Sequence, residues 1–428
     1  MVMGSLPEEF DVAIMGGGAA GYSAAIRASS LGLSVAVIEK DLIGGNCVNF
    51  ACIPARAIRE SVYSFFLAKS NKSIRGELEL DWEEVIKRRD EVTNRIRGNI
   101  ESAFKTLGIE VIKGEGVLSQ GKIVAGGEEI RYKDAIIATG SVTNIPPTFG
   151  KSEKLLDYRG FYSLKKIPGS AIIVGGGQSG VEIATILGKA GVQTTIVSPD
   201  FLPGVDPDLS ALAKKSLTDM GVKIVPKRAN GFDGDKLIVE QEKIEGEKII
   251  VTTGQKPNLP QGINELPVDE LLRVSEHLYA IGDVVGNPMV ASKAMKQGVI
   301  AAEIIAGQKV AFDQKAIPVS IFTEPEIVIV GSTVGDKVVF RTNTLGWSLA
   351  TQSNAIVKLF HKDGVIKGVE TAGRGASELA GEASLLIEMG AQLEDLSETL
   401  HSHPTLNEAL MEASMLAQNR SVYSIRKK

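Results

Sequence analysis

The chain has 428 residues, 43% of them hydrophobic, and 47 Lys and Arg against 52 Asp and Glu give a net charge of −5. That length suggests two to four domains, and the mild acidity leaves no basic stripe for nucleic acid and no cationic block for an acidic membrane surface. Two cysteines are too few for a secreted disulfide framework, and no apolar run approaches the ~20 residues that span a bilayer. Met1 to Phe10 carries two glutamates, no lysine or arginine and no apolar core, so it does not read as a signal peptide and a cytoplasmic protein is expected.

Phe10 to Met15 reads as a short buried strand running into Gly16-Gly17-Gly18-Ala19-Ala20-Gly21. An Ala-rich helix follows to about Ser30, then a second strand, Ser34 to Ile38, that ends in Glu39. This is the βαβ dinucleotide fingerprint in its full context: the glycines permit the tight turn, the phosphate approach and the helix–strand contact, and the helix N-terminus faces the pyrophosphate. Glu39, 18 residues after Gly21, can accept a ribose hydroxyl.

Directly downstream stand the two cysteines, Cys47 and Cys52, in Gly44-Gly45-Asn46-Cys47-Val48-Asn49-Phe50-Ala51-Cys52-Ile53-Pro54-Ala55-Arg56. A regular helix would hold their Cα atoms roughly 8–9 Å apart, whereas a disulfide needs less than about 7 Å. If they pair, the backbone between them leaves helical geometry. So short a loop removes little entropy from the unfolded chain, which points to redox chemistry rather than a structural staple.

Two helices are expected next, about Ile53 to Ala68 and Trp82 to Leu107, then short strands leading to Ala135-Ile136-Ile137-Ala138-Thr139-Gly140-Ser141, with Pro146-Pro147 marking a linker. The first pattern then repeats 159 residues on. Ala171 to Val174 is a strand, Gly175-Gly176-Gly177-Gln178-Ser179-Gly180 the loop, Val181 to Lys189 the helix, and Gln193 to Val197 a strand ending at Ser198. Two nucleotide folds imply two cofactors, or one cofactor and one substrate nucleotide. Ser198 occupies the position of Glu39; it would not repel a 2′-phosphate, yet no arginine follows to bind one, so NAD is favoured and NADP stays open.

Leu278 to Asp283 reads as a strand ending in an acid, followed by a helix from about Ala291 to Ala306. From Ile317 the pattern changes to alternating strands, including Glu326 to Val330 and Ala355 to Phe360, with a hairpin turn at His361-Lys362-Asp363-Gly364 leading into Val365 to Thr371. Three helices follow, an α+β layer without a nucleotide loop. In His401-Ser402-His403-Pro404-Thr405-Leu406-Asn407-Glu408, Pro404 suits the first turn of a helix, with His403 at its mouth and Glu408 about one turn in. Such a carboxylate could orient an imidazole for acid–base work; a surface histidine is the plain alternative.

Taken together, the first glycine motif with Glu39, GGNCVNFACIP, ATGS, GGGQSGVE, YAIGDV and HSHPTLNE resemble the pyridine nucleotide–disulfide oxidoreductases, and within them the dihydrolipoamide dehydrogenases, over essentially the whole chain. The resemblance implies an α/β protein with two Rossmann-like dinucleotide-binding domains and a C-terminal α+β dimerisation domain. The expected division is an FAD-binding domain at 1–148, an NAD(P)-binding domain at 149–270, a central segment at 271–316 completing the FAD site, and a dimerisation domain at 317–428. It implies that Cys47 and Cys52 form a redox disulfide, with Cys52 the flavin-side thiol making a charge-transfer contact and Cys47 the interchange thiol. His403, oriented by Glu408, would be an acid–base supplied by the other subunit of a homodimer. Gly16, Gly18, Ala19, Ala20, Gly21, Glu39, Lys40, Gly45, Asn46, Cys47, Arg56, Thr139, Gly140, Ser141, Gly282, Asp283, Met289, Val290 and Ala291 would surround FAD. Gly175, Gly177, Gln178, Ser179, Gly180, Glu182, Ser198 and Gly254 would serve NAD.

The implied reaction is oxidation of a dihydrolipoyl group, on a protein or a small dithiol, by NAD. An NADPH-dependent reductase of another small disulfide and a flavin-binding electron carrier are the alternatives; with no further cysteines, no metal site is expected. Against the family pattern, arginine replaces lysine at Arg56, which in the family commonly pairs with the glutamate at Glu182. Ala51 replaces glycine, Ser292 histidine and Ser198 glutamate, and the stretch from Lys227 to Pro260 is short.

Overall fold

Phe10–Met15 is a strand, and all its residues but the half-buried Asp11 are buried because both faces of the sheet around it are covered. In the computed structural model, which describes residues 9–119, 121–150 and 152–424, it pairs in parallel with Val35–Glu39 on one side and Glu128–Ile137 on the other. Glu110–Lys113 continues the sheet beyond Val35–Glu39 and Leu278–Ala280 beyond Glu128–Ile137, both in parallel, and Arg273–Ser275 adds an antiparallel edge to Leu278–Ala280. Alternate residues serve opposite cores. Val12, Ile14, Val35, Val37 and Ile136 face a layer containing Ala24, Ala28 and Ile300, while Ala13, Met15, Ala36, Ile38 and Ile137 face Ile112, Ile123 and Ile130.

By contact the chain forms two units. One holds the chain up to Gly169 with Gly231–Asp235 and Glu247–Asp313; the other holds Ser170–Asn230, Lys236–Gly246 and the chain from Gln314 on. In the first unit the helix Ala291–Ile305 lies on the helix Ala19–Ser30 with backbones in contact: a Cβ on Gly298 would stand 2.4 Å from the Ala20 carbonyl oxygen and 2.9 Å from the Ala24 nitrogen. The Ala-rich composition of both helices is what permits this approach. The long polar helix is Trp82–Leu107, started by the Asp81 carboxylate on the Glu83 and Glu84 N–H groups and ended by Gly108 in the left-handed region.

The second unit repeats the βαβ theme, with Ser170–Val174, Gln193–Val197 and Lys223–Val225 in parallel and the helix Gln178–Lys189 crossing between the first two. It then adds a five-stranded antiparallel sheet in the order Val319–Ile321, Glu326–Gly331, Val365–Gly373, Ile356–Lys362, Asp336–Arg341. Asp363 and Gly364, both at positive φ, make the hairpin turn. Helices Ala380–Glu388, Leu393–Glu398 and Glu408–Ala417 cover a core of Val338, Phe340, Leu359, Val369, Leu410 and Ala413. The expected architecture, two dinucleotide-type folds and an α+β layer, is therefore present.

Two local expectations are corrected. The strand at Leu278 stops at Ala280, and Asp283 lies in the 3-10 turn Gly282–Val285, where Gly282 adopts φ +80° to bend the chain. The last helix begins at Glu408 and not at Pro404, because residues 402–407 close on themselves through side chains, including Thr405 Oγ1 donating to the Ser402 carbonyl at 2.6 Å. The helix Pro207–Asp219, capped by Asp206, was not expected. Residues 1–8, which bear on the signal-peptide reading, lie outside the described residues. No helix among the described residues is long and apolar enough to cross a membrane.

The tight helix crossing gives a direct expectation. Gly298→Ala should lower unfolding stability by about 1–3 kcal/mol, the usual range for overpacking, visible as a lower denaturant midpoint with an unchanged slope.

Candidate active site

The first glycine run is shaped by what a side chain would hit. Gly16, at φ +105°, would drive a Cβ to 2.4 Å from the Ala138 carbonyl, and Gly21 would drive one to 1.8 Å from the Gly16 carbonyl. Gly18 is the N-cap of Ala19–Ser30 without a capping side chain, and no acid occupies the first turn. The N–H groups of Ala19, Ala20 and Gly21 therefore lie outside the helix's own hydrogen-bond ladder, at the positive end of its dipole. Glu39 is buried beside them, accepting the Gly17 N–H at 2.7 Å on Oε2 and the Asp41 N–H at 2.7 Å on Oε1. Lys40 turns away and pairs with Glu115 on the surface at 2.6 Å.

Facing this turn, three distant pieces of chain are tied together. Ser141 Oγ donates to Asp283 Oδ2 at 2.8 Å, and the Asn46 amide donates to the Ser141 carbonyl at 3.1 Å. Thr139 and Asn258 exchange side-chain-to-backbone bonds of 2.7 and 3.2 Å, while the Asn258 N–H reaches the Gly140 carbonyl at 2.9 Å. Gln297 accepts the Gly282 N–H at 2.8 Å. Val290 is the N-cap of Ala291–Ile305, again without a capping side chain, with Met289 before it. Gly254, at φ +101°, accepts the Asn144 N–H at 2.9 Å.

The cysteines sit at the edge of this constellation. Gly44 donates its N–H to the Gly17 carbonyl at 2.8 Å, and the short helix Gly45–Asn49 carries Cys47. The helix then breaks: Phe50 has φ −136° and ψ −6°, Ala51 has φ −136° and ψ −96°, and Cys52 opens the helix Cys52–Ser70. This is the departure from helical geometry that a Cys47–Cys52 link requires. The two residues are in the dithiol form, not joined as a disulfide. The Cys52 thiol donates to Cys47 and holds its pKa below the ordinary thiol range, against burial and Asp283, which push it up. The Tyr158 hydroxyl is pushed up to about 12 by burial first, then by Asp157, with Asp283 and Cys52 adding to it. Burial raises Tyr22 as well, with both cysteines contributing. Two neutral phenols therefore stand near the thiol pair. Arg56 makes an ion pair with Glu60 one turn along, at 3.0 Å.

In the second unit Gly177 caps Gln178–Lys189 without a side chain, and Gly175 turns at φ +120°. A Cβ on Gly176 would lie 3.1 Å from Ser198 Oγ, so Ser198 stands beside Gly176 as Glu39 stands beside Gly17. The Gln178 amide is committed to the Ser320 carbonyl at 2.9 Å and to Glu182 Oε1 at 3.1 Å, and Glu182 also accepts the Phe322 N–H at 2.9 Å. Ser179 and Gly180 complete the first turn of that helix.

His403 and Glu408 meet as expected, Nδ1 to Oε1 at 2.7 Å. Glu408 is buried and its other oxygen accepts the Thr405 N–H at 2.9 Å, whereas the imidazole is 63% exposed. With Nδ1 donating to a fixed carboxylate, Nε2 is left facing outward as the proton acceptor. A second pair was not foreseen: His401, nearly buried, contacts Glu382 at 2.8 Å and the Thr399 carbonyl at 2.9 Å, and Asn407 donates to Glu382 at 3.0 Å.

The profile of the pyridine nucleotide-disulphide oxidoreductases matches residues 10–298, and that of their dimerisation domain matches residues 317–414. The chain belongs to this family. Among similar relatives of the family, a dihydrolipoyl dehydrogenase of Halobacterium salinarum is 34% identical over 472 aligned positions, covering 99% of this chain and all of that one. Another, from Bacillus subtilis, is 32% identical with full coverage of both. At least 44 of the 472 positions have no counterpart in this chain of 428. The fold is also that of two solved structures. LpdA from Mycobacterium tuberculosis has a TM-score of 0.86 at 24% identity, covering 95% of this chain and 99% of that one. An HOCl-induced flavoprotein disulfide reductase from Escherichia coli, solved as its Cu(II) complex, has 0.84 at 23%, covering 96% and 100%.

For a member of this family, the residues that sequence reasoning missed are Tyr22, Tyr158, Asn258 and Gln297 around the first dinucleotide turn. None lies in a motif; Asn258 is brought to Thr139 because Gln255–Pro257 pairs antiparallel with Ser141–Thr143. The thiol electrostatics can be checked by the pH dependence of Cys47 alkylation. Since the Cys52 thiol donates to the Cys47 thiolate and favours the charged form, Cys52→Ala should move the alkylation midpoint of Cys47 upward.

Proposed function

We propose that this protein is a dihydrolipoamide dehydrogenase, oxidising dihydrolipoyl groups with NAD through FAD and a Cys47–Cys52 disulfide. The observation that carries the reading is the thiol pair on an interrupted helix, with the Cys47 pKa lowered, directly abutting a dinucleotide-type glycine turn. The names of the full-length relatives favour this substrate over another disulfide.

The residues present fit a flavin dinucleotide. The helix mouth at Ala19–Gly21 suits a pyrophosphate, Glu39 is fixed where a ribose hydroxyl would lie, and Gly45 has no room for a side chain beside Gly18. Thr139, Gly140, Ser141 and Asp283 supply the polar groups opposite, and Gly16, Gly18, Asn46, Arg56, Gly282, Met289, Val290 and Ala291 the remaining wall; Lys40 would serve only at the rim. FAD supplies a two-electron bridge between a dithiol and a nicotinamide. Gly175, Gly177, Gln178, Ser179, Gly180, Glu182, Ser198 and Gly254 would serve NAD. On this reading 1–148 and 271–316 hold the flavin, 149–270 the nicotinamide, and 317–428 builds a homodimer.

In the oxidative direction a substrate thiolate attacks Cys47 of the disulfide, forming a mixed disulfide and releasing Cys52 as thiolate. The second substrate sulfur attacks the first, closing the lipoyl disulfide and releasing Cys47. Two electrons are then left on the cysteine pair. His403, with Nδ1 fixed by Glu408, takes the substrate thiol proton at Nε2 and is supplied across the dimer. The lipoyl group would arrive on a carrier protein or as a small dithiol, in the cytoplasm.

Cys47→Ser and Cys52→Ser should each abolish dihydrolipoamide:NAD turnover; undiminished turnover in either would contradict the mechanism. His403→Ala should lower turnover by about 10²- to 10⁴-fold, the usual range for a general acid–base. Its imidazole is largely exposed, so folding and flavin content should be unchanged.

A further inference from the structure

The turn between the cysteines is held by residues outside the motif that carries it. Neither Phe50 nor Ala51 is helical, and Ala51 offers no side chain to cap the helix Cys52–Ser70. The break is therefore fixed by contacts on its flanks. On one side Asn49 donates to the Ile43 and Gly45 carbonyls at 2.9 and 3.0 Å and accepts from Arg97 at 3.1 Å. On the other, the Arg159 guanidinium carbon lies 3.8 Å from the centroid of the Phe50 ring. The same guanidinium donates through Nη2 to Asp41 Oδ2 at 2.8 Å. Its plane thus bridges the loop before the first cysteine helix and the ring that stands between the two cysteines.

We propose that Arg159, stacked on Phe50 and tied to Asp41, is a positioning residue for the Cys47–Cys52 couple, holding the break so that the two sulfurs stay within reach of each other. This rests on the redox reading of the pair given above. Closing the disulfide joins the two Sγ atoms and releases two electrons and two protons. Its equilibrium against an external dithiol follows how often the two sulfurs are presented together, as any intramolecular closure does. In the structure the Cys52 thiol already reaches Cys47. Arginine suits this position because its flat guanidinium can lie over a ring while donating in its own plane to a carboxylate. A cation–π contact at a partly exposed site changes such an equilibrium by roughly 2- to 5-fold.

The test uses the flavin-loaded full chain, equilibrated without oxygen in mixtures of reduced and oxidised dithiothreitol, then acid-quenched and assayed for free thiols. In that exchange reduced dithiothreitol gives two electrons and two protons to the cysteine pair and leaves as its cyclic disulfide. Arg159→Ala and Phe50→Leu should each move the midpoint about 2- to 5-fold toward the dithiol. The double variant should move it no further than the larger single shift, because both substitutions remove one contact. An unmoved midpoint in either single variant, or shifts that multiply in the double, would overturn the proposal. If Arg159→Ala does not load flavin, Phe50→Leu, which keeps an apolar side chain, decides alone. A parent protein showing two thiols at every ratio would instead overturn the redox reading itself; a parent that titrates while the variants stay put overturns only the role of Arg159.

Discussion

Gly45 stands so close to Gly18 that a Cβ on it would lie 2.6 Å from the Gly18 Cα. No other residue fits there, and the constraint sets where the chemistry can happen. The glycine turn is gripped at Gly17 from two directions, by Glu39 on its N–H and by Gly44 on its carbonyl. The first grip fixes the acid at the end of the second strand; the second starts the helix that carries Cys47. The contact is less a source of stability, since each such hydrogen bond contributes only about 1 kcal/mol net, than a way of placing a thiol pair against a nucleotide-binding turn.

The two glycine turns of the chain show what one substitution does on a common backbone. In both, the first glycine donates to a carbonyl at the end of the second strand, Gly16 to Ile38, the last residue but one, and Gly175 to Val197, the last. In the first copy a carboxylate reaches back to the next N–H; in the second, Ser198 stands in its place and the Asp200 carbonyl would lie 2.2 Å from a Cβ on Gly176. The first turn therefore offers a fixed negative charge at its ribose position, and the second a hydroxyl.

Much of this was legible in the sequence, for physical reasons. Buried parallel strands carry apolar runs such as Val12 to Met15 and Ala171 to Val174, and their junctions with glycine turns have one structural reading. Trp82–Leu107 was expected at the bounds it adopts, and the structure shows Asp81 capping it and Gly108 ending it. The His403–Glu408 contact was also foreseen, although the route to it was wrong: a side-chain-closed loop, not a helical turn, brings the two together. What stayed hidden depends on long-range closure. Asn258 reaches Thr139, Ser141 reaches Asp283 and Arg159 reaches Phe50 only after sheets have formed between distant segments, and no local spacing encodes those meetings.

The central claim is that electrons pass between the Cys47–Cys52 pair and a nicotinamide through a bound flavin. Anaerobic titration of the flavin-loaded protein tests it most directly, with flavin absorbance followed as NADH and, separately, dihydrolipoamide are added. The account predicts that each reductant changes the flavin spectrum, and that Cys47→Ser removes the response to dihydrolipoamide while keeping the response to NADH. A flavin spectrum unmoved by NADH, or a Cys47→Ser protein still reduced by dihydrolipoamide, would contradict it.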